Sequence, residues 1–414
     1  MSKEQSFNKY VFLSYGIGGV GGGQNYLKNR CSLYKQQGLK VYLVYTLYDP
    51  QDARYIFDGI KRFSIIGQSI RKFSNRYIRF IINKILKLIN YQEGDNIIIE
   101  SDNMQMALWG EVLAMSCKGK NFYYILGEND VIVDSLDNDF FMFKLARKEI
   151  AGIHKDSVKK LFANFKSIAN SEQYLVEAAA QSYIKECQVK ELENLPTCDY
   201  TIGMLSRLDK PYVMPVLSDL IYFFSSYTDK KFNLVIVGDG HVSITKRIKQ
   251  LYKNIDNVNV ILTGSLDPLP SQYPQVCDVC IGTSGCAYMT HSYGRTTISI
   301  DGEDFKPIGI LGITTENRLF RSEEPIIPID ELLEQILIHK KYPLLQEPKL
   351  NGSPREENHA KHHNYIMHST MSREYFNMNY HCDCNLRVRG YVFIFKRIIE
   401  SVIGTSIYYK LFTK

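Results

Sequence analysis

The chain has 414 residues, 45% of them hydrophobic and 23% charged, with a formal net charge of +6. This length suits two hydrophobic cores better than one, the composition excludes a disordered chain, and so small a charge gives no basis for a nucleic-acid partner. Nine scattered cysteines, most inside apolar runs, fit reduced and buried thiols. The opening MSKEQSFNKY has no apolar signal core, and no run reaches the roughly 18 apolar residues of a spanning helix, so the expectation is a soluble or membrane-surface protein.

Tyr10–Leu13 predicts a strand. Gly16-Ile17-Gly18-Gly19-Val20-Gly21-Gly22-Gly23 follows, and then a helix on which Leu27, Cys31 and Tyr34 share a face until Gly38 ends it. Lys40–Thr46 reads as the second strand and Ser69–Asn90 as a long basic helix. Asn96–Ile99 reads as a strand, Met104–Cys117 as a helix and Asn121–Leu126 as a strand. Helical signals run over Phe140–Phe165, and Ser167-Ile168-Ala169 reads as a short strand. The polar stretch Lys185–Tyr200, with Pro196, reads as a linker. Beyond it the alternation restarts, with strands at Thr201–Leu205, Asn233–Val237, Asn259–Thr263, Val276–Ile281 and Thr296–Ile300. Helices are expected at Val213–Tyr227, Ser243–Tyr252 and from Cys286. Alternation of this kind implies mostly parallel sheets covered on both faces. Gln346–His363 reads as a loop and Arg389–Lys414 as a basic, aromatic, amphipathic segment. The expected domains are 1–190 and 200–342, with an extension over 343–414.

Six glycines within eight residues let a backbone turn sharply and approach a ligand closely. The helix behind them offers unpaired N–H groups and a positive dipole end, which suits an anion. A comparable strand, turn and helix recurs at Gly282-Thr283-Ser284-Gly285. Arg207 and Lys210 follow a predicted strand end, where α/β sheets bind ligands, and an Arg fork beside an ammonium suits a diphosphate. The first run also satisfies G-x-G-x-x-G, the dinucleotide fingerprint. That reading wants an acid at the end of the second strand, and Asp49 comes late for it.

Several segments resemble the GT-B glycosyltransferases that assemble bacterial surface polysaccharides. Gly22-Gly23-Gln24 resembles the family's N-terminal glycine pair, and Asn170-Ser171-Glu172 its "anSe" stretch. Gly203–Lys210 is similar to the "GRLdkeKG" opening of the C-terminal domain, Leu234–Gly240 to "LvIVGdGp", and Val260–Gly264 to "V.ftG". The resemblance implies an α/β GT-B fold of two Rossmann-like domains facing a cleft, with a C-terminal helical extension. It also implies a metal-independent hexosyltransferase, cytoplasmic or peripheral on the inner face of the plasma membrane. Its only co-substrate would be a nucleotide-diphosphate sugar, and its acceptor a saccharide or lipid-linked saccharide. Expected donor-binding residues are Arg207, Lys210, Gly238, Asp239, Gly264, Thr283, Ser284, Gly285, Thr290 and His291, with Gly22, Gly23 and Gln24 on the acceptor side.

The chain departs from the pattern in two places. The retaining branch carries two glutamates eight residues apart, yet no glutamate lies between Asp278 and Glu303, and Thr290 stands where one would align. Tyr212 occupies an aligned lysine position, with Lys210 two residues earlier. Retaining stereochemistry therefore does not follow. An inverting transfer needs a carboxylate to deprotonate the acceptor hydroxyl. Glu128 and Asp130, after a predicted strand, are the expected bases, with Asp102 as a rival. His359, His362, His363, His368, His381, Cys382 and Cys384 fit no standard zinc spacing, and Cys277 and Cys280 fall inside a predicted strand. The helix Ser69–Asn90 could meet an anionic membrane surface or pack on its own sheet. Two other classes stay open: a GT-B scaffold that binds without transfer, and a nicotinamide-dependent oxidoreductase.

Overall fold

A computed structural model gives the fold. It describes residues 7–17, 22–47, 60–65, 70–127, 130–154, 156–165, 167–178, 184–185, 189–266, 268–345, 354–369 and 374–377, with short pieces at 392, 395 and 398–399. The apolar runs of the first half become β1 (Lys9–Gly16), β2 (Lys40–Leu47), β3 (Lys61–Ser64), β4 (Ile97–Ser101), β5 (Lys120–Ile125) and β6 (Ile150–Gly152). They form one six-stranded sheet in the order β3-β2-β1-β4-β5-β6, parallel throughout. A two-residue strand, β7 (Ile184–Lys185), precedes β8 (Tyr200–Leu205), β9 (Phe232–Val237) and β10 (Val258–Gly264). It pairs with β11 (Leu269–Pro270), and β12 (Val279–Gly282), β13 (Thr297–Ile300) and β14 (Pro307–Ile310) follow. The second sheet runs β10-β9-β8-β12-β13-β14, parallel except for the antiparallel edge strand β14. Every residue of β4, β5, β9 and β12 is buried, as expected when helices cover both faces.

Three segments depart from the sequence pattern. Phe140–Phe165 is not one helix: the helix Ser135–Ala146 stops, β6 follows, and a short helix spans Ser157–Leu161. Lys148 adopts φ 54°, and the Lys148 and Glu149 amides return to the Leu145 and Lys144 carbonyls, which closes the helix without a glycine. Ser167–Ala169 forms no strand, and a single 3₁₀ turn follows at Ser171–Tyr174. Val276 belongs to the short helix Gln272–Val276, so β12 starts three residues later than the apolar run.

The chain divides into two compact units. The first spans most of residues 1–179 and resumes at Arg355, and the second holds Ala180–Pro354. Part of the segment read as a loop is instead the helix Pro354–His368, which from Arg355 belongs to the first unit. Arg389–Lys414 lies almost wholly outside the described residues.

The histidines explain how that helix docks. Glu100 on β4 and Arg30 on the helix Gly22–Gln36 pair at 2.8 Å with both side chains fully buried. Tyr10 and Tyr26 donate hydroxyls to the same carboxylate. Arg30 Nη1 lies 2.8 Å from His359 Nδ1. A guanidinium has only donors, so that ring nitrogen accepts and carries no proton. Tyr26 and Tyr34 meet His362 and His363 at 3.2 and 3.1 Å. Burial, followed by the Arg30 charge, lowers the pKa of His359 to about 3, holds His362 well below the usual range, and lowers His363. Removing one partner of such a buried pair costs roughly 3–5 kcal/mol, because it strands a charge.

These rings are neutral when folded and protonate at about 6.5 when unfolded. Their contribution to stability is complete above that value and drains as pH falls from it toward 3. Thermal melting should show a midpoint that drops between pH 7 and 5, with a shallower slope in a His359→Gln/His362→Gln variant. Equal slopes would show that the cluster does not couple protons to folding.

Candidate functional site

In the second sheet β8, β9 and β10 step outward on one side, while β12 and β13 continue on the other, so the strand order reverses between β8 and β12. Open α/β sheets bind ligands at the carboxyl ends of the two strands flanking such a reversal. Ile281 pairs with Met204, so Gly282–Ser284 and Leu205–Arg207 leave the sheet side by side, separated by about the 4.8 Å strand spacing. Leu205 also pairs with Val237, which brings Gly238-Asp239-Gly240 to the same edge. A Cβ on Gly238 would stand 1.7 Å from the Ser206 carbonyl oxygen, so only glycine fits there. The Gly238 amide donates to Gly264 at 2.9 Å. Asp239 holds its own turn: its carboxylate accepts the Gly240 amide at 2.8 Å and its carbonyl accepts the Leu208 amide at 2.9 Å.

Three cations come from different parts of this unit. Arg207 forks onto Asp209 at 3.1 and 3.3 Å, with both side chains about half exposed. An exposed pair of this kind contributes little and is readily exchanged for another anion. Lys210 lies close enough to Cys286 to be felt: burial pushes the Cys286 thiol up to about 11, and the Lys210 charge opposes it. Cys286 lies in the first turn of the helix Ser284–Ser292. Arg318 lies with its guanidinium 4.9 Å from the Tyr288 ring centroid of the same helix. Its carbonyl accepts the Ser284 amide at 2.5 Å and the Thr283 hydroxyl at 3.3 Å.

Two of the expected helix-end donors are thus already engaged. The Ser284 hydroxyl and the Gly285 amide have no partner among the described residues, and a Cβ on Gly285 would meet nothing within 4 Å. Ser284 sits at φ 51°, a left-handed conformation that costs a non-glycine residue roughly 1–2 kcal/mol. Arg318 has no counterpart in the sequence motifs, because it reaches the turn only through the fold.

Thr290 and His291 lie elsewhere. They follow Ser284 by six and seven residues, roughly 9–10 Å along the helix, and both are buried. The Thr290 hydroxyl is bonded to the Cys286 and Ala287 carbonyls and to Thr297. Neither residue joins the edge cluster. Tyr212, at the aligned lysine position, is a core residue whose hydroxyl lies 2.5 Å from Ser206 Oγ.

The first sheet has its own reversal, between β1 and β4. Leu13 pairs with Ser101, so Ser14 and Asp102 emerge together. Asp102 accepts the Ser14 hydroxyl at 2.7 Å and the Tyr15 amide at 3.3 Å. Burial raises its carboxyl to about 7 against the pull of these bonds. Of the glycine run, residues 18–21 lie outside the described residues. Gly22, Gly23 and Gln24 open the helix Gly22–Gln36, and a Cβ on either glycine would meet nothing within 4 Å. Glu128 lies outside the described residues. Asp130 accepts the Tyr123 hydroxyl at 3.0 Å, and burial raises its carboxyl. Burial, then Asp130 and lastly Asp102, raise the Tyr123 phenol well above its usual range.

A cavity of about 420 Å³ opens at the amino-terminal edge of β4 and β5, away from either reversal. Its charged lining is paired internally: Lys144 bonds Glu111 and Glu149, and Arg147 bonds Glu149. Among the described residues no group of three or more His, Cys, Asp or Glu side chains is arranged to hold a metal ion.

No protein-family model matches the chain, and no curated protein matches it in sequence. Solved structures do match. A glycosyltransferase from Rickettsia africae ESF-5 is similar over 95% of this chain and 100% of its own, with 16% identity and a TM-score of 0.58. Anabaena Alr3699/HepE in complex with UDP and glucose is similar over 96% and 99%, with 13% identity and a TM-score of 0.52. The same protein with UDP alone is similar over 85% and 95%, with 13% identity and a TM-score of 0.54. At these identities the likeness establishes the architecture: the chain has a two-domain GT-B fold.

Proposed function

We propose that this protein is a glycosyltransferase that moves a hexose from a uridine diphosphate sugar to a saccharide acceptor in surface-polysaccharide assembly. The observation that carries the reading is the cluster at the β8/β12 reversal. Arg207 and Lys210 follow β8, the neighbour of β12, and Arg318 meets the helix after β12, whose Gly285 amide and Ser284 hydroxyl have no partner among the described residues. Transfer builds negative charge on the leaving diphosphate, and fixed cations and amides aimed at that charge lower the barrier without reorganising. Gly238, Asp239 and Gly264 form the floor of the site, and Thr283 shapes the turn. HepE, of the same fold, holds UDP, which supports a uridine nucleotide here. Gly22 and Gly23 leave open space beside the helix start for the acceptor, with Gln24 next to them.

A lipid-linked acceptor is part of the same proposal, supported by the helix Asn75–Leu88. Its apolar face, including Ile81, Ile82 and Ile85, is buried in its own unit and is not available for insertion. The outer face carries Arg76, Arg79, Lys84 and Lys87, all exposed, with Phe80 54% exposed among them. Docking would then be electrostatic, worth about 1 kcal/mol per basic residue near an anionic surface. A second reading, sugar-nucleotide binding without transfer, is favoured by the Arg318 carbonyl already seated on the Ser284 amide. Release of UDP from a donor in the presence of acceptor would eliminate it.

Titration calorimetry with UDP should give about 10-fold weaker binding for Lys210→Ala and for Arg318→Ala, the scale of a charge-assisted contact, and less than a 2-fold change for His291→Gln. Unchanged affinity in both cationic variants would refute the site. In flotation assays the protein should bind phosphatidylglycerol vesicles, lose that binding at high salt, and lose at least 10-fold in an Arg79→Glu/Lys84→Glu variant. Equal, salt-insensitive binding to phosphatidylcholine vesicles would contradict the electrostatic surface.

A further inference from the structure

The first unit's reversal edge holds a carboxylate whose surroundings suit it to both charge states. Ser14 has one hydroxyl proton but two acceptors in reach, Asp102 Oδ2 at 2.7 Å and the Gly16 carbonyl at 3.0 Å. When Asp102 is ionised, Ser14 donates to it. When Asp102 is protonated, Asp102 can donate to Ser14 Oγ and the Ser14 proton turns to Gly16. Each state keeps a complete set of hydrogen bonds, so the carboxyl can gain and lose a proton without leaving a buried group unsatisfied. Among the described residues Asp130 has no such relay: its hydrogen bond is with the Tyr123 phenol.

We propose, building on the glycosyltransferase reading, that Asp102 is the general base of an inverting transfer. The acceptor oxygen forms the new bond to the anomeric carbon while the bond from that carbon to the diphosphate oxygen breaks. The acceptor proton passes to Asp102 Oδ, and the electron pair leaves with the nucleotide diphosphate. A single displacement of this kind inverts the anomeric centre and needs neither of the glutamates that the chain lacks. The titratable groups felt by Asp102 are Glu100 on β4 and Tyr123 on β5, while β1 contributes the uncharged Ser14 hydroxyl and Tyr15 amide. With its carboxyl raised to about 7, the base is poised near working pH.

The test measures UDP binding by calorimetry, and UDP release from UDP-glucose and UDP-N-acetylglucosamine with a lipid-linked saccharide extract of the source cells as acceptor. Asp102→Asn should bind UDP within 2-fold of wild type and lose at least 100-fold in kcat. Wild-type kcat/KM should fall on an acid limb near pH 7. Ser14→Ala, which keeps the carboxylate but removes a bond that favours its charged form, should move that limb to higher pH. The proposal is overturned if Asp102→Asn keeps more than a third of kcat, if the limb follows Asp130→Asn instead, or if it stays put in Ser14→Ala. It is also overturned if wild type binds UDP yet releases none from either donor. Failure of wild type to bind UDP at all would overturn the donor-site reading beneath it.

Discussion

The parallel pairing of β8 with β12 is the constraint on which the rest of the molecule's chemistry depends. Their connections depart in opposite directions, so no helix crosses the gap between their carboxyl ends, and backbone from three turns converges there. Gly238 is forced by contact with the Ser206 carbonyl. Ser284 is forced into a left-handed conformation while its amide is held by Arg318. Strain of this kind persists only where the surrounding structure over-determines it. The next amide, that of Gly285, has no partner among the described residues.

The first unit repeats the topology with opposite chemistry. Its reversal edge, between β1 and β4, carries a carboxylate instead of cations. Two residues before Asp102, inside β4, Glu100 anchors the buried network with Arg30, three tyrosines and the returning helix Pro354–His368. The two acids differ in surroundings because β4 ends at Ser101: Glu100 is within the strand, and Asp102 is just past its end. Glu100 is locked in a fixed pair, and Asp102 at the edge accepts the Ser14 hydroxyl and the Tyr15 amide.

Much of this architecture was legible in the sequence. The long apolar runs marked both parallel sheets, and the Gly238 turn and the Thr283–Gly285 turn stood out as motifs. The failures have physical causes. Lys148 and Lys118 take positive φ at helix ends where the usual signal is glycine, so the break before β6 left no mark in composition. The polar character of Gln346–His363 suggested a loop, yet from Pro354 it is helical, because its histidines are matched by Arg30, Tyr26 and Tyr34, more than 300 positions earlier in the chain. Arg318 was invisible for the same reason, since its place over Tyr288 comes from the fold alone. Thr290 aligned with a ligand-binding position, but the helix turns its hydroxyl inward to Thr297. Sequence spacing carried the backbone well and the side-chain environments poorly.

The most direct measurement is the location of the diphosphate in a crystal of the protein soaked with UDP. The account predicts phosphate oxygens within about 3.5 Å of the Gly285 amide, the Lys210 ammonium and the Arg318 guanidinium. A diphosphate bound in the cavity lined by Glu111, Lys144 and Arg147, or anywhere away from the β8/β12 edge, would contradict it.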